Sequence, residues 1–419
     1  MKPDSSDPTR REFLKTTSMA ALGAFLASAM PEPAQGQTPT AVPTRAFGKT
    51  GATVPILGLG GMFDIPTNQL VLRQAYQWGV TYWDTADCYG GSETGMGMYF
   101  EKHPDHRKDI FLVTKSCERD AQGMTRLLEQ SLDRLKTDYI DLYLVHGARH
   151  IDELSDEIRR WAEKEKSRKR IRFMGFSTHA NMEKLMLAAS RLGWIDGIMM
   201  SYNFRLMHTD QMQAAVEACT KAGIGLTAMK TQGGGSVRAD SEAEIALVGR
   251  FLKKGFTDKQ ARLKAVWENP HIACICSQMP GMTVLMSNVT AALDQTRLSK
   301  EEVDLFRQLA LQTAPSYCAG CAEICEKALD IPAPVSDVMR CLMYCHSYGE
   351  PERAEAIFNR IPKDLRDAMR LADYSKIQRL CPQKMPVARL MREGCRTLDR
   401  RFRYALRKDD AAIQPVSSG

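Results

Sequence analysis

The stretch Ile110-Phe111-Leu112-Val113-Thr114 leads into Gly123–Lys136 and then into Leu142-Tyr143-Leu144-Val145. The first and last runs are short, apolar and rich in β-formers. The middle one repeats its apolar residues at three- and four-residue spacing, as an amphipathic helix does. One strand–helix–strand unit is therefore written here, and the same cadence extends in both directions. Strand candidates recur at Val54–Gly58, Val80–Trp83, Ile171–Phe176, Gly197–Ser201, Ile224–Met229 and Ile272–Cys276, with helical patterns such as Met182–Leu192 and Met212–Lys221 between them. Eight such units over ~250 residues predict a closed (β/α)8 TIM barrel of the α/β class. An open doubly wound sheet would call for a glycine fingerprint after its first strand, and Gly58-Leu59-Gly60-Gly61 lacks that spacing. Arg45–Ala52 reads as a hairpin turn ahead of the barrel.

The barrel accounts for residues 44–310 of a 419-residue chain, leaving a leader over 1–40 and a tail over 315–405. The net charge of +7 is local: residues 379–408 hold ten Lys/Arg against two Asp/Glu. The remainder is nearly neutral, which argues against a nucleic-acid-binding body. No apolar run reaches the ~18 residues of a stable membrane span. At the start, Thr9-Arg10-Arg11-Glu12-Phe13-Leu14-Lys15 precedes a short, weakly apolar run to Met30, with Ala27-Ser28-Ala29 and Ala34-Gln35-Gly36 as small-residue sites that could be cut. Paired arginines before such a core resemble a twin-arginine export signal, which implies the twin-arginine machinery as a partner and an exported, periplasmic destination.

Chemistry in a parallel barrel gathers where strands give way to βα loops. Four polar residues stand there: Asp84 after the second strand, Tyr89 five residues on, Lys115 after the third and His146 after the fourth. An ammonium ion makes a neighbouring phenol easier to deprotonate, and a carboxylate holds that ammonium in place. Tyr89 can then exchange a proton near neutrality while His146 donates to a carbonyl oxygen. Phe63, Trp83 and Met62 offer apolar walls for a substrate.

The stretch Tyr82-Trp83-Asp84-Thr85-Ala86-Asp87-Cys88-Tyr89-Gly90, with Ser92-Glu93 following, resembles the aldo-keto reductase signature. Leu112-Val113-Thr114-Lys115 and Leu144-Val145-His146-Gly147 resemble that family's Lys and His strands. The resemblance runs over residues 44–300. It implies interconversion of a small-molecule carbonyl and its alcohol with NAD(P)H, Tyr89 being the acid/base, Lys115 and Asp84 its tuners and His146 the orienter. It also implies cofactor positions: Gly60, Gly61 and Met62 lining the nicotinamide, Ser177 holding its carboxamide, Asn203 on the adjacent strand end, and Lys230 at the end of the seventh strand, where an aromatic usually stacks. The loop Met279–Asn288 has no Arg or Lys where the family commonly grips the NADP 2′-phosphate. Such a phosphate would lose charge-assisted hydrogen bonds worth ~1.5–3 kcal/mol each.

Seven of the twelve cysteines lie after Tyr317. Cys318, Cys321 and Cys325 fall within eight residues, and Cys381-Pro382 comes much later. A Cys–Pro closing a cysteine-rich set is a ferredoxin habit, and four thiolates meet the demand of one 4Fe-4S cluster. Disulfides, a zinc site and reduced thiols are the alternatives, disulfides having the support of an oxidising compartment. Residues 315–398 resemble the ferredoxin-like C-terminal segment of a twin-arginine branch of aldo-keto reductases, including Met343-Tyr344 and Tyr348-Gly349. That resemblance implies a helical iron–sulfur domain and an electron-transfer partner. Cys341, Cys345 and Cys395 read as core, and the five barrel cysteines as small apolar residues. The rival to an enzyme is a non-catalytic barrel with a relic site, serving as a redox relay or binding protein.

Overall fold

The computed structural model describes residues 41–232, 246, 249–251, 253–294 and 296–401. The leader over 1–40 and the end of the basic stretch lie outside the described residues. The described residues from 41 to 401 form one compact unit. It begins with a hairpin of β1 (Thr44–Ala46) and β2 (Thr53–Pro55), paired antiparallel. Phe47, in the turn, is fully buried and packs 5.3 Å from the Phe111 ring. It reaches between the first residues of two barrel strands, since a Cβ on Gly225 would meet its ring at 2.6 Å. The hairpin is thus a plug for the barrel floor.

The barrel strands are β3 (Leu57–Gly60), β4 (Tyr82–Asp84), β5 (Phe111–Ser116), β6 (Ile140–Val145), β7 (Ile171–Thr178), β8 (Gly197–Ser201), β9 (Gly225–Met229) and β10 (Ile272–Gln278). They close in sequence order, β10 pairing with β3, and every seam is parallel. Outside them lie α1 (Gln69–Gln77), α2 (Ser92–Lys102), α3 (Ala121–Leu135), α4 (Asp156–Ser167), α5 (Met182–Ala189), α6 (Asp210–Lys221), α7 (Asp258–Trp267), α8 (Met282–Leu293) and α9 (Lys300–Thr313). Side chains of Asp120, Ser155, Thr209, Thr257 and Ser299 accept the first free amides of five of these helices. Each such cap contributes on the order of 1 kcal/mol.

The expected barrel thus stands, with two adjustments. The first candidate, Val54–Gly58, is split by a kink into β2, outside the barrel, and β3, within it. Several strands also run further than their apolar letters, so Asp84, Lys115 and Ser177 sit inside strand ends rather than after them. Trp83 is no substrate wall. Strand alternation sends it outward, where it packs on Tyr99 and Phe100 and donates to Val80 O at 2.8 Å.

After α9 the chain is helical: α10 (Ala322–Cys325), α11 (Val335–Ser347), α12 (Pro351–Phe358), α13 (Lys363–Leu371), α14 (Ser375–Leu380) and α15 (Val387–Thr397). Their apolar faces make a second core around Val338, Leu342, Phe358, Met369, Ile377 and Met391. Cys341 and Cys395 are buried in it and Cys345 packs against it, as expected. No helix among the described residues is long and apolar enough to cross a membrane.

Candidate active site and tail thiol cluster

Asp84, at the end of β4, and Lys115, near the end of β5, point into the barrel. Lys115 Nζ lies 2.5 Å from Asp84 Oδ1 and donates to Thr85 O at 2.6 Å, and both side chains are almost completely buried. The same ammonium lies 4.8 Å from the centroid of the Tyr89 ring. The Tyr89 ring in turn meets His146 edge-on at 5.7 Å. The four residues expected to act together are therefore brought together.

Their protonation differs from the expectation in one respect. Burial, reinforced by the negative charge of Asp84 and by neighbouring phenol and thiol groups, pushes the Tyr89 phenol well above its ordinary value. Lys115 spends its hydrogen bonds on Asp84 and Thr85 rather than on the phenol. Tyr89 thus holds its proton firmly at neutral pH, as a donor must. His146 is pushed the other way, well below 6.5, by burial and by the charges of Lys115 and Arg119, so its imidazole is neutral. Asp84 is pulled up by burial and down by Lys115, the geometry being that of an ion pair.

The sequence model of the Aldo/keto reductase family matches residues 57–303. The chain belongs to that family. The aldo-keto reductase yakc of Schizosaccharomyces pombe, whose name carries NADP(+), is 34% identical over 161 residues, or 32% of this chain and 45% of its own length. Methylglyoxal reductase DkgA of Yersinia pestis is 35% identical over 97 residues, 23% of this chain and 35% of its own. The chain thus spans less than two thirds of these curated relatives. Among solved structures, an aldo-keto reductase from Bacillus halodurans in its holo form superposes with TM-score 0.53 at 23% identity, covering 64% of this chain and 96% of its own. A thermostable aldo-keto reductase complexed with the inhibitor epalrestat gives 0.52 at 25% identity, covering 64% and 99%.

The positions read as an aldo-keto reductase cofactor site fall at neighbouring strand ends, but the tail reaches three of the six, Met62, Asn203 and Lys230. Ser177 is buried and accepts from Gly147 N at 2.9 Å, which leaves its own proton to give. Asn203 is buried and donates to the Tyr317 hydroxyl at 3.0 Å. Thr231 carries a buried hydroxyl oxygen with no partner. This row of neutral hydrogen-bonding groups fits a nicotinamide carboxamide. Lys230 does not face such a ligand freely: its ammonium donates to the Tyr344 hydroxyl at 2.9 Å, across from α11. Burial raises the Tyr344 phenol, yet Lys230, Arg340 and Arg353 outweigh burial and bring it below its ordinary value. Met62 gives its carbonyl to Arg353 and its side chain to the tail core. Gly61 donates to Asp84 O at 2.6 Å, and a Cβ there would come within 2.5 Å of that oxygen, so close approach of β3 and β4 requires the glycine. Gly60 is buried at the end of β3.

Beneath the tail a cavity of about 260 Å³ is lined by Ser201, Lys230, Tyr317, Arg340 and Met343, but by neither Tyr89 nor His146. It is smaller than the ~300–1,000 Å³ of ordinary ligand pockets. At the far end, Ser277, Gln232 and Asn288 bond to one another as a neutral network. Nothing in Met279–Asn288 adds a cation, although Arg262 donates to Gln232 O at 2.9 Å beside this network.

The four tail cysteines line one small apolar cavity with Ile324, Val335, Met339, Met385 and Val387. All four are free thiols. Burial pushes Cys318 and Cys325 up to about 12 and Cys321 up to about 11, which bound metal would reverse. Four thiols at one apolar cavity match, in number and kind, the donor set that a four-thiolate cluster takes.

Two barrel cysteines depart from the apolar reading. Cys219, Cys274 and Cys276 are buried as expected, but Cys88 is half-buried and Cys117 exposed, both in βα loops. Their sulfurs lie 3.2 Å apart beside His146. Tyr317, Arg340 and Tyr344 were likewise not legible as mouth residues, since nothing local says where a tail docks. Cys88 and Cys117 did carry a signal: each is within two positions of a tetrad residue, in loops after adjacent strands.

Proposed function

We propose that this chain is an exported oxidoreductase that interconverts a carbonyl and its alcohol, with an accessory 4Fe-4S cluster in its tail. The observation that carries the reading is the buried Lys115–Asp84 pair beneath Tyr89, with neutral His146 alongside. A buried ion pair adds little net stability, and well-packed apolar residues would serve a mere scaffold as well. Its presence at the strand ends favours catalysis over a relic barrel.

Tyr89 gives its proton to the carbonyl oxygen during reduction, while Lys115 stabilises the phenolate left behind. His146, neutral, donates its free ring N–H to the same oxygen and fixes its direction. The firmly held phenol proton favours reduction over alcohol oxidation near neutrality. Ser177 and Asn203 would hold the carboxamide of a nicotinamide nucleotide, which supplies the hydride when bound. Cys318, Cys321, Cys325 and Cys381 would hold the cluster, which supplies one-electron transfer. Protein purified anaerobically is expected to show an iron–sulfur absorption spectrum and to reduce small aldehydes with a nicotinamide nucleotide. Failure of every nucleotide to bind or be oxidised would move the reading to a redox relay.

Export rests on the paired arginines of the leader. Arg10→Lys with Arg11→Lys is expected to leave unprocessed precursor in the cytoplasm, measured by fractionation and precursor size. Unchanged processing and location would remove the export reading.

A further inference from the structure

Three successive strand ends bring four metal-type donors to one point. Asp87 and Cys88 follow β4, Cys117 follows β5 and His146 follows β6. Their ligand atoms all lie within 4.8 Å of one another. Cys88 Sγ and Cys117 Sγ are 3.2 Å apart, and each is 3.5 Å from His146 Nδ1. A point about 2.3 Å from both sulfurs and about 2.1 Å from Nδ1, the usual zinc distances, sees them at roughly 90–105°. An independent sign comes from Asp87. Its Oδ1 is buried without any hydrogen-bond partner, while the Cys117 amide donates to Oδ2 at 3.4 Å. A carboxylate oxygen buried without a partner is costly, and a cation would satisfy it.

We propose that Asp87, Cys88, Cys117 and His146 form a mononuclear zinc site at the rim of the barrel mouth. Two thiolates and an imidazole select a borderline-soft ion, and the hard carboxylate favours Zn²⁺ over Cu⁺. Binding releases the two thiol protons to solvent. A disulfide explains less. The sulfurs stand well outside the bonding distance of ~2.05 Å, and an S–S bond would leave Asp87 and His146 at the same point without a role.

The site has a consequence for the reaction, and this part rests on the role proposed for His146. Coordination through Nδ1 puts the ring proton on Nε2, the atom left to face a carbonyl oxygen. Arg119 donates to the His146 carbonyl, and the same arginine bonds Glu153 at 2.7 Å, so the loop bearing the imidazole is already braced.

The full-length protein, reduced and with its iron content recorded, is titrated with zinc in competition with a chromophoric chelator. Wild type is expected to take up one more zinc per chain than Cys117→Ser, whose affinity at this site falls by more than the ~10–100-fold that loss of an outer-shell partner costs. Asp87→Asn keeps the side-chain volume and also weakens binding, while Cys381→Ser, which alters the tail, leaves this zinc in place. X-ray absorption of the added zinc is expected to show two sulfur ligands with nitrogen and oxygen. Equal zinc uptake by wild type and Cys117→Ser, or an all-sulfur or sulfur-free zinc, would overturn the site. So would a Cys88–Cys117 disulfide, detected by mass, that persists under these reducing conditions. None of these readouts depends on turnover, so the zinc site and the proposed reaction stand or fall separately.

Discussion

Tyr89→Phe is expected to lower kcat for carbonyl reduction by about 10²–10⁴-fold, the contribution of a positioned general acid. The ring keeps its volume, its edge contact with His146 and its place over Lys115, so packing is preserved. Nucleotide affinity is expected to change little, because Ser177 lies in β7 and Asn203 just beyond β8, away from Tyr89. The measurement is single-turnover reduction with nucleotide binding in parallel. Retention of most of the turnover would remove Tyr89 as the proton donor while leaving the fold untouched.

The second large effect is expected from Cys381→Ser. Cys381 follows α14, far along the chain from the three thiols that precede or end α10, yet all four line one cavity. Domains this small commonly depend on a metal or disulfide staple. A cluster joining the two ends restricts the unfolded tail as a long-loop crosslink does. The variant is expected to lose its iron and to become protease-sensitive over 315–401, with the barrel still folded. Cys341→Ser is expected to keep its iron, since Cys341 packs in the tail core rather than at the cavity. Iron and sulfide per chain, with limited proteolysis, decide between them. Full iron retention in Cys381→Ser would overturn the ligand set.

The barrel was legible because its information is local: apolar runs of strand length alternate with helical periodicity. The tetrad was legible for a related reason, since strand order alone puts Asp84, Lys115 and His146 side by side at the ends of three adjacent strands. The protonation of Tyr89 was not. It depends on how deeply the ring is buried and on which oxygens the Lys115 ammonium reaches, and neither is written in the spacing. Trp83 was misread for want of strand phase, because one position along β4 turns a side chain from the barrel lumen to the helices. Lys230 and Met62 looked like cofactor residues, and only long-range packing of Tyr344 and Arg353 gives them other partners. Contacts between segments more than a hundred residues apart leave no local trace.

The tail's footholds on the barrel have a consequence for the order in which the molecule assembles. Arg353 rests on Met62 beyond β3, Gly320 on the carbonyl of His179 beyond β7, Tyr317 on Asn203 beyond β8, Tyr344 on Lys230 beyond β9 and Glu350 on Gln278 in β10. Gly320 comes so near that a Cβ would lie 2.1 Å from that carbonyl oxygen, and its φ is +81°. These points belong to strands separated by up to some 200 residues, and they assume their mutual spacing when β10 pairs with β3 and the ring is complete. A half-wound barrel offers the tail no matching platform. Docking is therefore expected to be a late event in folding, a latch that only a closed ring can receive. A chain whose ring stays open keeps Tyr317, Tyr344 and the tail thiols exposed, where proteases and thiol reagents distinguish it from finished protein.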